Sequence, residues 1–162
     1  MGVLEWSPTT ADDIDSLVRL GRACLERDGG LPDLADPRHL RDSYLTDLSI
    51  CGRDELGDIV AAAAIGVSSD GTRTATGLID PAAMGQGIGQ EVAEWVIGHS
   101  VGPVRFVLDS VSPEGETLFA ELGLHDVVRD RWPDSRVFSY WDYRTGMFHK
   151  DLGMRIDLIL AG

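Results

Sequence analysis

Three glycines at alternate positions, Gly85, Gly87 and Gly89, stand between an apolar run ending Leu78-Ile79-Asp80-Pro81 and a segment that places Val92, Trp95 and Val96 at helical spacing. Strand, glycine turn and helix in that order make an anion cradle. Glycine admits positive φ and removes the Cβ atoms that keep a ligand off the backbone. The helix behind it leaves its first N–H groups without internal partners, and its dipole favours negative charge in front of them. The candidate donors are the main-chain amides of Gly85, Gln86, Gly87, Ile88 and Gly89.

Nucleotide-binding turns of other kinds fit poorly. No Lys-Ser/Thr pair follows the glycines as a P-loop requires, and the spacing is G-x-G-x-G where a dinucleotide turn needs G-x-G-x-x-G. The same turn can also serve as a plain strand-to-helix connection. Its place in the chain, after two helical and three strand-like segments, adds the discriminating information.

With that context the run Met84-Gly85-Gln86-Gly87-Ile88-Gly89 resembles the pyrophosphate loop of the GNAT acyltransferase superfamily, Arg/Gln-x-x-Gly-x-Gly/Ala, with Met84 in place of the leading Arg/Gln. The resemblance implies that these amides hold the pyrophosphate of acetyl-CoA and that the strand backbone near Ile79 pairs with the pantetheine arm. It also implies an α+β fold with a mixed, mostly antiparallel central sheet flanked by helices.

The elements that must position this turn can be read in order. Val3 to Trp6 alternates as a short strand, and Thr10 followed by Asp12 and Asp13 starts a first helix, with Asp13 in a capping-box position. Ile14, Leu17, Leu20 and Leu25 continue it to Asp28-Gly29-Gly30, and Asp36-Pro37 starts a second helix. Strands are expected over residues 48–56 and 59–67, the latter through the small run Ala61 to Ala64, with turns at Leu56-Gly57-Asp58 and Ser68-Ser69-Asp70-Gly71. Residues 103–108 read as a strand, and Ser112-Pro113 opens a helix through Leu118, Phe119 and Leu122.

That last helix is similar to the GNAT motif Asn-x-x-Ala-x-x-Leu-Tyr-x-x-Leu-Gly-Phe, which puts Ser112 at the Asn, Gly115 at the Ala and Phe119 at the Tyr. The resemblance makes the Tyr the proton donor to the departing CoA thiolate, and Phe119 has no hydroxyl to play that part. The carboxylate nearest the turn, Asp80, reads first as a cap or turn residue. No catalytic residue is therefore assigned.

From Gly123 the text changes character. Phe138-Ser139-Tyr140-Trp141-Asp142-Tyr143-Arg144 and Gly153-Met154-Arg155-Ile156-Asp157-Leu158-Ile159-Leu160 resemble the late part of exodeoxyribonuclease III-type nucleases. In that family an aspartate at the position of Asp157 orients a catalytic histidine. The remaining nuclease motifs are not found in the sequence, and one such aspartate cannot assemble a metal-dependent phosphodiesterase. The chain thus reads as a composite: residues 1–124 an acyl-CoA-binding portion, residues 125–162 a nuclease-like tail that supplies terminal strands to the same domain. Candidate tail strands are Val127-Val128, residues 136–143 and residues 154–160, and Trp132, Tyr140 and Trp141 require burial or a partner.

Composition bounds the partners. The 162 residues carry a formal net charge of -13 with 43% hydrophobic content, which suits one soluble domain with a buried core. Through Leu124 there are 8 cationic residues against 21 acidic ones, and from His125 onward 6 of each. An acidic front repels nucleic acid and suits a cationic acceptor. Cys24 and Cys51 read as buried free thiols, and His39, His99, His125 and His149 form no metal-ligand motif. No apolar run spans a membrane and no leader pattern opens the chain, so the expected compartment is the cytoplasm. Three readings stand: an acyl-CoA-binding protein that, if active, is an N-acetyltransferase using acetyl-CoA and an amine acceptor; a catalytically silent composite; or an inactive nuclease fragment. Monomer and homodimer both remain open.

Overall fold

A computed structural model describes residues 4–107, 112–123, 125–126, 131–133 and 160–161. Five strands, β1 (Glu5–Ser7), β2 (Leu48–Arg53), β3 (Ile59–Val67), β4 (Arg73–Ile79) and β5 (Val104–Phe106), form one sheet in sequence order. The first four pair antiparallel, and β5 joins β4 in parallel. The helices are α1 (Ile14–Asp28), α2 (Pro37–Tyr44), α3 (Ile88–His99) and α4 (Pro113–Glu121). This is the expected mixed, mostly antiparallel sheet flanked by helices.

The strand β3 shows why the sheet can be covered on both sides. Ala62 and Ala64 face a core containing Leu17, Leu20, Leu40 and Tyr44 from α1 and α2, while Ala61, Ala63 and Ile65 face Ile88, Val92 and Val96 of α3. Alternation along a strand sends successive side chains to opposite faces. Small residues on both faces bring two helical layers close to the sheet, and the hairpin partners on each side keep an alanine-rich run extended.

The first helix departs slightly from expectation. A short 3-10 turn, Ala11–Asp13, precedes α1, and the Asp13 carboxylate takes the Thr10 N–H at 2.8 Å and the Thr10 hydroxyl at 2.9 Å. Arg53 of β2 donates to the other Asp13 oxygen at 2.6 Å and also contacts Ser7 Oγ, so one carboxylate ties β1, β2 and the start of α1 together. The second helix begins as read, with Asp36 accepting the N–H groups of Arg38 and His39 at 2.7 and 3.2 Å.

In the tail, β6 (His125–Asp126) and β7 (Leu160–Ala161) pair antiparallel as a second, two-stranded sheet. Trp132 is 51% exposed. The expected strands at Val127-Val128 and 136–143, and all but Leu160 of the one at 154–160, with Tyr140, Trp141 and Asp157, lie outside the described residues. No helix among the described residues is long and apolar enough to cross a membrane.

Two outcomes follow from this packing. A Cβ at Gly21 of α1 would stand 2.1 Å from the Leu34 carbonyl oxygen, a backbone atom with no easy retreat. Gly21→Ala should therefore destabilise by about 2 kcal/mol in chemical denaturation, because the clash outweighs the roughly 1 kcal/mol that alanine gains in a helix. Burial raises the Asp13 carboxyl, but Thr10 and Arg53 outweigh it and leave it below its ordinary 3.8. The stability contributed by this network is present above that value and lost as the pH falls through the lowered native one. Asp13→Asn should weaken the fold at neutral pH and flatten the acid limb of a stability-versus-pH curve, measured by thermal melts between pH 2 and 7.

Candidate functional site

The site is built along β4 beyond its described pairing with β5. Register pairs Arg73 with Val104, Thr74 with Arg105 and Ala75 with Phe106, and the Val107 N–H donates to the Ala75 carbonyl at 2.8 Å. On the other edge of β4, the Asp80 N–H donates to Val60 O of β3 at 2.8 Å. Hydrogen-bonding direction alternates along an antiparallel strand. Ala75, Gly77 and Ile79 therefore turn their N–H and C=O groups away from β3, and beyond Ala75 no described residue of β5 meets them.

A cleft of about 110 Å³ opens there. Its floor is Thr76 to Ile79 of β4, its walls come from Val92 and Val96 of α3 and from Leu118 and Phe119 of α4, and Cys24 of α1 closes one side. The lining is mainly apolar, as a ligand's hydrocarbon stretch requires. Gly89 sits at its edge, where a Cβ would stand 3.1 Å from Leu118 Cδ2 and 3.3 Å from Ile79 Cδ1. A larger residue at 89 would fill the opening.

The glycine turn leads directly into this cleft. Asp80 caps a 3-10 turn, Pro81–Ala83, by accepting the Ala82 N–H at 2.8 Å, which is the cap role read from the sequence. Gly85 and Gly87 then take φ of 75° and 87°, values that only glycine adopts at little cost. Gly87 is the N-cap of α3, and no side chain caps that end. The first-turn amides of Ile88 and Gly89 are thus placed as an uncapped helix start beside the cleft. On the other flank of the same turn lies a groove bordered by Trp6, Asp54, Glu55, Asp80 and Glu91, in which Trp6 Nε1 donates to Glu91 Oε2 at 3.2 Å.

The structure therefore brings Ile79, Met84 and Gly89 to this opening, whereas Gln86 and Ile88 border the groove on the other flank and Gly85 and Gly87 line neither. It also places Phe119 in the cleft, buried and packed edge-on against Phe106 with ring centroids 5.3 Å apart. Ser112 caps α4 by accepting the Gly115 N–H at 3.0 Å. No group of three or more His, Cys, Asp or Glu side chains among the described residues could hold a metal ion.

Two participants were not legible in the sequence. Cys24 donates its thiol to the Ile79 carbonyl at 3.3 Å, occupying one of the outward-facing acceptors of β4. Arg27 reaches from the end of α1 to Met84 and Glu114. Both contacts join residues more than fifty positions apart, and no local pattern announces them.

No protein-family profile matches the sequence, and no curated protein matches it significantly. Solved structures do match in fold. A GCN5-related N-acetyltransferase from Sphaerobacter thermophilus aligns at TM-score 0.61 and 22% identity, covering 76% of this chain and 44% of that one, so this chain spans less than half its length. A phosphinothricin acetyltransferase from Sinorhizobium meliloti, solved with acetyl-CoA, aligns at 0.58 and 19% identity over 75% of each chain. Diaminobutyrate acetyltransferase from Paenibacillus lautus, solved with diaminobutyrate and coenzyme A, aligns at 0.58 and 18% identity, over 84% of this chain and 89% of that one. The fold is that of the GNAT-family N-acetyltransferases.

Burial pushes the Cys24 thiol up to about 11, with the nearby Asp28 and Asp80 charges adding to the effect. The group is accordingly a protonated hydrogen-bond donor at neutral pH and a poor nucleophile. Peptide mapping after iodoacetamide treatment at pH 8 should show Cys24 reacting roughly 100-fold more slowly in the native protein than in urea, the ratio of thiolate populations. Comparable rates would contradict the buried, donating thiol.

Proposed function

We propose that this cleft binds acyl-CoA, with the diphosphate at the amides of Gly85, Gln86, Gly87, Ile88 and Gly89 and the pantetheine arm along the outward edge of β4 at Gly77 and Ile79. The observation that carries the reading is the opening between β4 and β5, which exposes strand amides in an apolar slot and ends at an uncapped helix start. An extended amide-containing arm meets a strand edge by backbone pairing, and a diphosphate meets helix amides by charge. The acetyl-CoA and coenzyme A present in two structural neighbours support the same reading.

Bound acetyl-CoA supplies a thioester carbonyl and a thiolate leaving group. The protein's part is orientation, exclusion of water and stabilisation of the developing oxyanion by outward strand amides. A neutral amine forms its N–C bond at the carbonyl carbon as the C–S bond breaks, and the amine's surplus proton leaves to solvent. Phe119 offers the thiolate no proton, so the thiolate is released as such or protonated by water. The protonated Cys24 disfavours an acyl-cysteine route. In this reading residues 1–124 form the acyl-CoA-binding portion, and residues 125–162 are a tail of separate ancestry packed on the same domain.

Phe119 specifically favours a second version of this function, an acyl-CoA-binding domain without turnover. Binding and catalysis separate the two. Acetyl-CoA at about 100 times its dissociation constant should stabilise the fold by about 2.7 kcal/mol, seen as a rise of several degrees in Tm. Gly89→Val, which fills the opening, should lower affinity at least about tenfold while the circular dichroism spectrum is retained. No stabilisation of the natural protein at millimolar acetyl-CoA would overturn the reading. Thiol release with a panel of primary amines then separates an active enzyme from a silent one.

A further inference from the structure

Arg27 occupies the last turn of α1, and its guanidinium spans three segments that frame the cleft. One terminal nitrogen donates to Glu114 Oε1 of α4 at 2.5 Å, the other contacts Met84 Sδ, and Nε lies 3.6 Å from Asp28 Oδ1. Met84 is the residue directly ahead of the glycine turn, and Glu114 adjoins Gly115, which lines the cleft. The side chains of Arg27 and Glu114 are 35% and 43% exposed, so the pair sits at the solvent edge of the opening.

A thioether is a weak acceptor, and a guanidinium resting on one retains donors for a stronger partner. The front of the chain is strongly acidic, which repels a polyanionic ligand unless a cation is placed locally. Met84 provides no charge at the head of the turn, and Arg27 brings one to the same spot from a different element.

We propose that Arg27 is the cation of the phosphate subsite and that Glu114 is its place-holder, displaced when a diphosphate arrives. This rests on the acyl-CoA reading above. A planar guanidinium engages phosphate bidentately, whereas the exposed Glu114 carboxylate meets Arg27 through one oxygen at 2.5 Å and is shared with Ser112 and its own backbone N–H, so a diphosphate is the stronger partner. Glu114 then acts as a competitor that neutralises Arg27 in the empty protein and keeps α1 joined to α4 across the opening.

The competition predicts opposite signs for its two members. In isothermal titration of the full chain with coenzyme A, Arg27→Gln should weaken binding about tenfold, Arg27→Lys should recover part of it, and Glu114→Gln should tighten binding severalfold. Pantetheine, which lacks the diphosphate, should bind all four proteins equally, and the coenzyme A salt dependence should be shallower in Arg27→Gln. Thermal melts confirm that each variant is folded. Equal coenzyme A affinity in Arg27→Gln and the natural protein would overturn the assignment while leaving the acyl-CoA reading intact. Weakening by both Arg27→Gln and Glu114→Gln would also overturn it, since a purely structural brace gives that result. Failure of the natural protein to bind coenzyme A at all would remove both.

Discussion

The candidate site depends on the outward hydrogen-bonding edge of β4. Among the described residues β5 accompanies β4 from Arg73 to Ala75, and Gly77 and Ile79 further along turn their backbone groups to the same outward edge. Buried main-chain groups require partners. Here one carbonyl, that of Ile79, is satisfied by the Cys24 thiol, and the edge otherwise fronts an apolar slot. A sheet continued in full register would be stable and would hold nothing.

The rest of the molecule keeps that opening in shape. The Asp13–Arg53 network fixes β1, β2 and the entry to α1, and α1 in turn supplies Cys24, Arg27 and Asp28 to the cleft and its edge. On the opposite face α3 can lie close because β3 offers Ala61 and Ala63, and its start is set by the positive φ of Gly87. The wall from α4 is positioned by the Ser112 cap and by the Phe106–Phe119 contact. The same Phe119 that packs the wall presents no hydroxyl to the slot.

Charge gives the site its direction. In a chain with so many acidic residues the uncapped start of α3 is a locally positive spot, because amides carry partial positive charge without needing a side chain. The groove on the other flank of the turn, with Asp54, Glu55, Asp80 and Glu91 beside Trp6, has the opposite character.

Local chemistry made much of this legible in the sequence. Asp36-Pro37, Ser112-Pro113 and Thr10 with Asp13 mark helix starts because a cap is made by residues three or fewer positions apart, and the glycine turn announces itself because positive φ at Gly85 and Gly87 is a property of those residues alone. The flanking turns Leu56-Gly57-Asp58 and Ser68-Ser69-Asp70-Gly71 placed the alanine run of β3 in a strand for the same reason. The opening itself, the thiol at Ile79 and the cation at Met84 depend on how far β5 follows β4 and on which face α1 presents, and these are settled by packing among segments distant in the chain. Short-range bonding and steric preference are written into neighbouring residues, whereas a cavity is the space that several elements fail to fill, and only their joint arrangement defines it.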